Sequence, residues 1–216
     1  MNEEFEFISR HFDAVIWDFD GVIIDSDSIR VNGFRYALRN YKGRLVEKLI
    51  EFHRKNGGFS RYKKFEYFFE NICKLPHWNR ELALALDEFS KYVTARLISP
   101  ELLIMSNVRG VEFLNDRGIN QFLVSASDEK ELQEIVSKLD IANLFQKVLG
   151  SPTPKIDNVA GLLEKYRFNK TRTLLIGDSI NDLHAAEANK ISFMGFAYKN
   201  HKPNEFPRGV KILRCS

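Results

Sequence analysis

The sequence has little of what marks secreted or membrane proteins. Its 216 residues include only two cysteines, Cys73 and Cys215, too few for a disulfide framework. No apolar run reaches the roughly 18 residues that a membrane-spanning helix needs. The first six residues carry three acids and no basic segment, unlike a secretory signal. These absences predict a cytoplasmic protein without a membrane partner.

A strong charge of either sign is also missing. The formal net charge is only +3, which argues against a nucleic-acid partner. Apolar residues make up 44% of the chain and charged residues 28%, which is ordinary for a globular protein and excludes a disordered chain, a collagen-like repeat or a coiled coil. A chain of this length buries about 70% of its surface on folding, which is ample for a core.

Charge and aromatic residues are unevenly distributed along the chain. Residues 26–98 hold 15 Lys and Arg against 8 Asp and Glu, whereas the remainder holds 17 against 21. The same stretch contains 13 of the 27 aromatic residues. Two modules of different character are therefore expected, a basic, aromatic-rich insert and a mildly acidic remainder.

Short buried strands alternate with amphipathic helices outside the insert. The predicted strands are the apolar runs at residues 14–17, 121–124, 147–149, 173–176 and 191–194. Leu132, Ile135, Val136 and Leu139 have the spacing of one helix face. This alternation predicts an α/β fold, a Rossmann-like parallel sheet with helices on both faces.

The insert has a different pattern. Phe65, Phe68, Phe69 and Ile72 lie at helical spacing, and no convincing strand interrupts the stretch. We therefore expect a discontinuous α/β core formed by residues 1–25 and 99–216, and a small all-helical domain formed by residues 26–98.

Polar residues follow the predicted strands. Asp18 and Asp20 come after the first strand, Ser125 after the second, Lys155 in the loop after the third, and Asp178 after the fourth. Because parallel strands end at one edge of the sheet, these side chains are expected to converge on one crevice. Asp182, four residues after Asp178, falls in the first turn of a helix, where an acid is also favoured for local reasons.

Phosphoryl transfer needs this set of residue types. A nucleophile must approach a dianion that repels it, and a hard cation such as Mg²⁺ held by carboxylate and carbonyl oxygens relieves that repulsion. Two carboxylates at positions i and i+2 of an extended strand face one substrate. One can attack phosphorus while the other handles a proton, provided that their pKa values differ.

Four motifs in order resemble those of the haloacid dehalogenase-like superfamily. They are WDFDGV at residues 17–22, VS at 124–125, SPTPK at 151–155 and GDSIND at 177–182. The insert after the first motif is similar to the helical cap of phosphoglycolate phosphatase-like and beta-phosphoglucomutase-like members. Ala126 departs from the pattern, because many relatives have Asn there.

The resemblance implies a role for each residue. Asp18 is the expected nucleophile, and Asp20 protonates the leaving alcohol and then activates water. Ser125 and Lys155 are expected to bind the phosphoryl group. The expected Mg²⁺ ligands are Asp18, Asp178 and the main-chain carbonyl of Asp20, with Asp182 in support.

The resemblance implies a Mg²⁺-dependent phosphomonoester hydrolase acting on a small molecule. The string at residues 56–70 resembles caps of relatives found with surface-polysaccharide enzymes, which suggests a sugar or polyol phosphate. Arg61 is the best candidate for a specificity contact from the cap. A phosphomutase of the beta-phosphoglucomutase type and a non-catalytic phosphate-binding protein stay open as alternatives, and the oligomeric state is not determined by the sequence.

Overall fold

A computed structural model describes residues 3–198 and 206–213. The helices are α1 (Glu3–His11), α2 (Asp27–Ala37), α3 (Gly43–Lys55), α4 (Arg61–Tyr67), α5 (Asn79–Leu97), α6 (Met105–Asn115), α7 (Glu129–Lys138), α8 (Lys155–Tyr166) and α9 (Ile180–Asn189). The strands are β1 (Ala14–Trp17), β2 (Asn120–Asp128), β3 (Lys147–Ser151), β4 (Thr173–Gly177), β5 (Ser192–Phe196) and β6 (Ile212–Leu213). A π-helical turn, Phe68–Ile72, follows α4 directly.

The strands form one six-stranded parallel sheet in the order β3-β2-β1-β4-β5-β6. Strand β1 is central, with β2 on one side and β4 on the other. Its four residues are all buried, which is why they read as an unbroken apolar run. The carboxyl ends of β1, β2 and β4 therefore lie side by side.

Both faces of the sheet are covered, as the sequence predicts. Val15 and Trp17 pack with the cluster that α1, α6 and α7 complete, whereas Ala14 and Ile16 pack with α8 and α9 on the opposite face. This alternation follows from the two-residue period of a strand. The predicted α/β class with a parallel sheet is confirmed.

Residues 26–98, called the helical segment below, contain α2 to α5 and no strand, and all of them lie within the described part of the chain. Three buried rings form its centre. The ring centroids of Phe34 and Phe89 are 4.6 Å apart, those of Phe34 and Phe65 are 5.2 Å apart, and those of Phe65 and Phe89 are 5.7 Å apart. The aromatic residues of this segment thus pack mainly against one another.

Two differences from the sequence prediction concern the sheet. Strand β2 runs four residues further than the apolar run at 121–124, to Asp128, and its pairing with β3 shifts register on the way. Strand β6 has only two residues, too few for a periodicity. None of the helices in the described part combines the length and hydropathy that a membrane span requires. Cys73 is a free thiol, and Cys215 lies outside the described residues.

Candidate active site

The expected site residues meet at the carboxyl edge of the sheet. Asp18 follows β1, Ser125 lies within β2, Lys155 begins α8 and Asp178 follows β4. Asp18, Asp20, Ser125 and Asp178 line one cavity of about 390 Å³. The other wall of this cavity is made by the helical segment.

Asp18 lies at the floor of the cavity and is 5% exposed. One carboxylate oxygen, Oδ1, accepts a hydrogen bond from the Phe19 amide at 2.7 Å and pairs with Lys155 Nζ at 2.8 Å. Its hydrogen bonds and its ion pair within the described chain all go to Oδ1, which leaves Oδ2 available to an incoming group. Burial, and then the charge of Asp182, raise the pKa of Asp18 to about 7.

Asp20 is surrounded by donors. Its carboxylate accepts hydrogen bonds from Ser26 Oγ at 2.6 Å, Arg30 Nε at 2.9 Å and Ser127 Oγ at 2.7 Å. Burial alone would raise its pKa, but the charge of Arg30 and these hydrogen bonds lower the pKa of Asp20 to about 2. Asp20 is therefore an ionised acceptor in this arrangement.

Lys155 is buried between two acids. Its ammonium pairs with Asp18 and also with Asp182 Oδ1. Although burial acts in the opposite direction, the charges of the two acids raise the pKa of Lys155. Asp182 Oδ2 accepts hydrogen bonds from the Ser179 amide at 3.0 Å and hydroxyl at 2.7 Å. Asp182 therefore caps the start of α9 and also holds Lys155, so its two expected roles coexist.

The acids of this edge form a cluster suited to a hard cation. Carboxylate oxygens of Asp18, Asp178 and Asp182 lie within 4.8 Å of one another. Burial, followed by the charge of Asp18, raises the pKa of Asp178 well above its usual range. The repulsion between two neighbouring acids is relieved by a divalent cation with oxygen ligands, so Asp18 and Asp178 fit such an ion. Both oxygens of Asp182 already have protein partners, which suits it to support rather than ligation.

Gly21 allows the turn after β1 to pass close to this cluster. Its φ is +76°, in the left-handed region, and a Cβ at this position would collide with Asp178 Oδ2. A glycine is therefore required at this position of the first motif, because the main chain and the Asp178 carboxylate share one narrow space.

Comparisons with known proteins agree with this arrangement. The family model for haloacid dehalogenase-like hydrolases matches residues 15–196. This chain belongs to that family. A phosphoglycolate phosphatase of Vibrio parahaemolyticus is 33% identical over 93 residues, and the match spans 41% of this chain and 41% of that protein's length.

Solved structures show the same fold at lower identity. CbbY from Rhodobacter sphaeroides, solved with phosphate, has a TM-score of 0.72 and 13% identity, covering 94% of this chain and 93% of that one. A haloacid dehalogenase-like hydrolase of Bacteroides fragilis has a TM-score of 0.69 and 18% identity, covering 93% and 96%. At these identities the likeness concerns the fold.

In this haloacid dehalogenase-like hydrolase, the helical segment contributes cations to the second wall of the cavity. Arg30 (α2) and Arg61 (α4) both line it. Arg30 also pairs with Glu131 of α7 at 2.7 Å, and Arg61 pairs with the same carboxylate. Arg61 Nη2 lies 3.6 Å from Asp128, so Arg61 joins the helical segment to the core. Its role as a specificity contact stays a prediction.

Sequence reasoning missed several side chains that surround Asp20 and the cavity. These are Ser26, Arg30, Ser127, Lys64 and His53. The His53 ring packs on Phe34, with centroids 5.0 Å apart, and it also lines the cavity. The sequence contains one indication that Lys64 is buried. It precedes Phe68 by four residues and so lies on the same buried helix face.

Proposed function

We propose that this protein is a Mg²⁺-dependent phosphomonoester hydrolase that acts through an aspartyl-phosphate on a small phosphorylated metabolite, a sugar or polyol phosphate. The observation that carries the proposal is the state of Asp18. Its Oδ1 is fixed by Lys155 and the Phe19 amide, and its Oδ2 is left for attack in the cavity that Asp18 lines. The partial likeness to a phosphoglycolate phosphatase supports the same reaction class.

The reaction has two steps at one phosphorus atom. Asp18 Oδ2 attacks phosphorus, the bond from phosphorus to the leaving oxygen breaks, and Asp20 donates a proton to that oxygen. Water then attacks the same phosphorus atom, Asp20 takes its proton, and the bond to Asp18 breaks. Asp20 must be protonated for the first step, so its contacts with Arg30 have to loosen before it can act as an acid.

Lys155 and Ser125 are the groups proposed to hold phosphoryl oxygens. Lys155 also offsets the charge of Asp18, which the incoming dianion would otherwise meet at full strength. Asp18 and Asp178, with the main-chain carbonyl of Asp20, would hold Mg²⁺. When bound, the ion supplies charge stabilisation for the phosphoryl group.

Residues 26–98 are proposed to act as a cap over the core formed by residues 1–25 and 99–216. Asn181 of α9 donates a hydrogen bond to the Gly57 carbonyl, and Tyr62 donates to Asp128 at 2.7 Å. Gly57 lines the cavity, and closure of residues 26–98 over the core would exclude water from the site. A cavity of about 390 Å³ suits a small metabolite.

The test is phosphate release across a panel of phosphorylated metabolites, with Mg²⁺ and again with EDTA. We expect one compound to stand out with kcat/KM of about 10⁴ M⁻¹s⁻¹ or more, and activity to vanish in EDTA and return with Mg²⁺. Binding of phosphorylated compounds without turnover would contradict the proposal, and so would isomerisation of a sugar phosphate without phosphate release.

A further inference from the structure

The cavity contains one buried cation that differs from the others. In the described chain, Arg30, Arg61 and Lys155 each have side chains at most 10% exposed, and each pairs with a carboxylate. Lys64 is 5% exposed and lines the same cavity, yet it makes no ion pair with any described residue. A buried ammonium without a directly paired carboxylate is costly, so it calls for an explanation.

His53 is the hydrogen-bond partner of Lys64. Its Nζ lies 2.9 Å from His53 Nδ1, and burial, together with the charge of Lys64, lowers the pKa of His53 to about 3. The neutral ring therefore accepts from the ammonium at Nδ1 and carries its own proton on Nε2, which is buried and has no partner among the described residues. A lysine ammonium has three donors, and only one of the three is used by His53.

We propose that Lys64 binds a second anionic group, a carboxylate, on the phosphomonoester substrate. This inference rests on the proposed function, because it assumes that the phosphoryl group is held at Asp18 and Lys155. The substrate would then span the cavity, with its phosphoryl end at the sheet edge and its carboxylate at α4. A sugar-acid or polyol-acid phosphate has this chemistry.

A carboxylate fits better than a second phosphoryl group for reasons of charge. Lys64 offers a single positive charge, and the buried arginines Arg30 and Arg61 are already paired with carboxylates of the protein. Arg54 also lines the cavity, but it is exposed, so its charge is solvated. Burial lowers the pKa of Lys64 to about 7, against the pull of Asp20 and Asp178, so the ammonium is only partly charged at neutral pH without a counterion. The carboxylates of Asp20, Asp178 and Asp27 act on Lys64 without forming an ion pair with it, and a monoanion would supply the direct pair that the described residues do not.

The test compares two ligands that differ at one carbon. In 3-phosphoglycerate a carboxylate replaces the terminal CH₂OH of glycerol 3-phosphate. Dissociation constants are measured by calorimetry with Mg²⁺ in an Asp18→Asn background, so that neither ligand can be consumed. We expect 3-phosphoglycerate to bind roughly tenfold more tightly, and the preference to fall within about twofold after Lys64→Met.

Lys63→Met is the matched control, because Lys63 is the preceding, exposed residue of the same helix and should leave the preference unchanged. Lys64→Gln, checked by thermal unfolding, replaces Lys64→Met if the latter does not fold. Equal affinities, a preference that survives Lys64→Met, or no binding of either ligand would overturn the inference. Tighter binding of glycerol 1,3-bisphosphate than of 3-phosphoglycerate would overturn the choice of carboxylate.

The inference and the proposed function fail separately. Hydrolysis of p-nitrophenyl phosphate by the wild-type enzyme with Mg²⁺ tests the function and needs no second anion. Hydrolysis without a carboxylate preference would refute the role of Lys64 alone. A carboxylate preference without hydrolysis would refute the hydrolase and leave a binding site for a carboxylated phosphate ester.

Discussion

Replacing Glu131 with alanine should destabilise the protein strongly. The Glu131 side chain is 3% exposed and holds two arginines that are themselves no more than 10% exposed, Arg30 and Arg61. Removing the Glu131 carboxylate leaves both guanidinium groups buried with less negative charge to balance them. Breaking a buried ion pair on one side typically costs about 3–5 kcal/mol.

The expected loss of stability lies at the lower end of that range, because each arginine still pairs with another carboxylate. Arg30 retains Asp20 at 2.9 Å, and Arg61 retains Asp128 at 3.6 Å. We therefore expect the free energy of unfolding to fall by about 3 kcal/mol, which for a chain of this size lowers the melting temperature by about 6–12 °C.

The assay is urea unfolding followed by circular dichroism, alongside differential scanning calorimetry. Glu134→Ala is the matched control, because Glu134 lies on the same helix with its side chain 50% exposed and, among the described residues, forms an ion pair with Lys138 alone. The free energy of unfolding should fall by no more than about 0.5 kcal/mol in this variant. A loss below about 1 kcal/mol for Glu131→Ala would refute the view that this carboxylate ties the helical segment to the core.

Three further predictions concern the cavity. Gly58→Ala should lower kcat/KM about tenfold or more in steady-state assays, because Gly58 has a φ of +78° and a Cβ there would lie 2.9 Å from Asn181 Cβ. Gly43→Ala is the control and should leave kcat/KM unchanged, because a Cβ at Gly43 meets nothing within 4 Å. Lys64→Met should raise the free energy of unfolding of the unliganded protein by about 1–4 kcal/mol at pH 7, as measured by denaturant titration. Because the folded state lowers the pKa of Lys64 to about 7, that gain should be fully present below pH 7 and shrink toward pH 10; a gain independent of pH would contradict this cause. Arg61→Ala should raise KM for the physiological ester more than for p-nitrophenyl phosphate, and equal effects would remove Arg61 from specificity.

Local patterns in the sequence were sufficient for strands β1 to β5, although not for the full length of β2 or for the two-residue strand β6. Strand β1 is buried on both faces, so its apolar run at Ala14–Trp17 coincides with the observed strand. The crevice follows from one rule, that parallel strands end at one edge, and this rule places Asp18 beside Asp178 without any knowledge of side-chain contacts.

The environment of Asp20 could not be predicted from local patterns in the sequence. Its donors Arg30 and Ser127 lie 10 and 107 residues away, and the second arginine contact of Glu131 is 70 residues distant. Contacts of this kind depend on how the helical segment docks on the sheet, which no local periodicity encodes. The low pKa of Asp20 and the high pKa of Asp18 follow from that docking and from burial.

The proposed mechanism requires that Asp18 becomes phosphorylated during turnover. The most direct measurement is an acid quench of the enzyme during turnover of a ³²P-labelled substrate with Mg²⁺, followed by mapping of the labelled peptide. We expect label on the peptide that contains Asp18, and neither label nor turnover in a folded Asp18→Asn variant. Label on another residue, or phosphate release by Asp18→Asn at the wild-type rate, would contradict it.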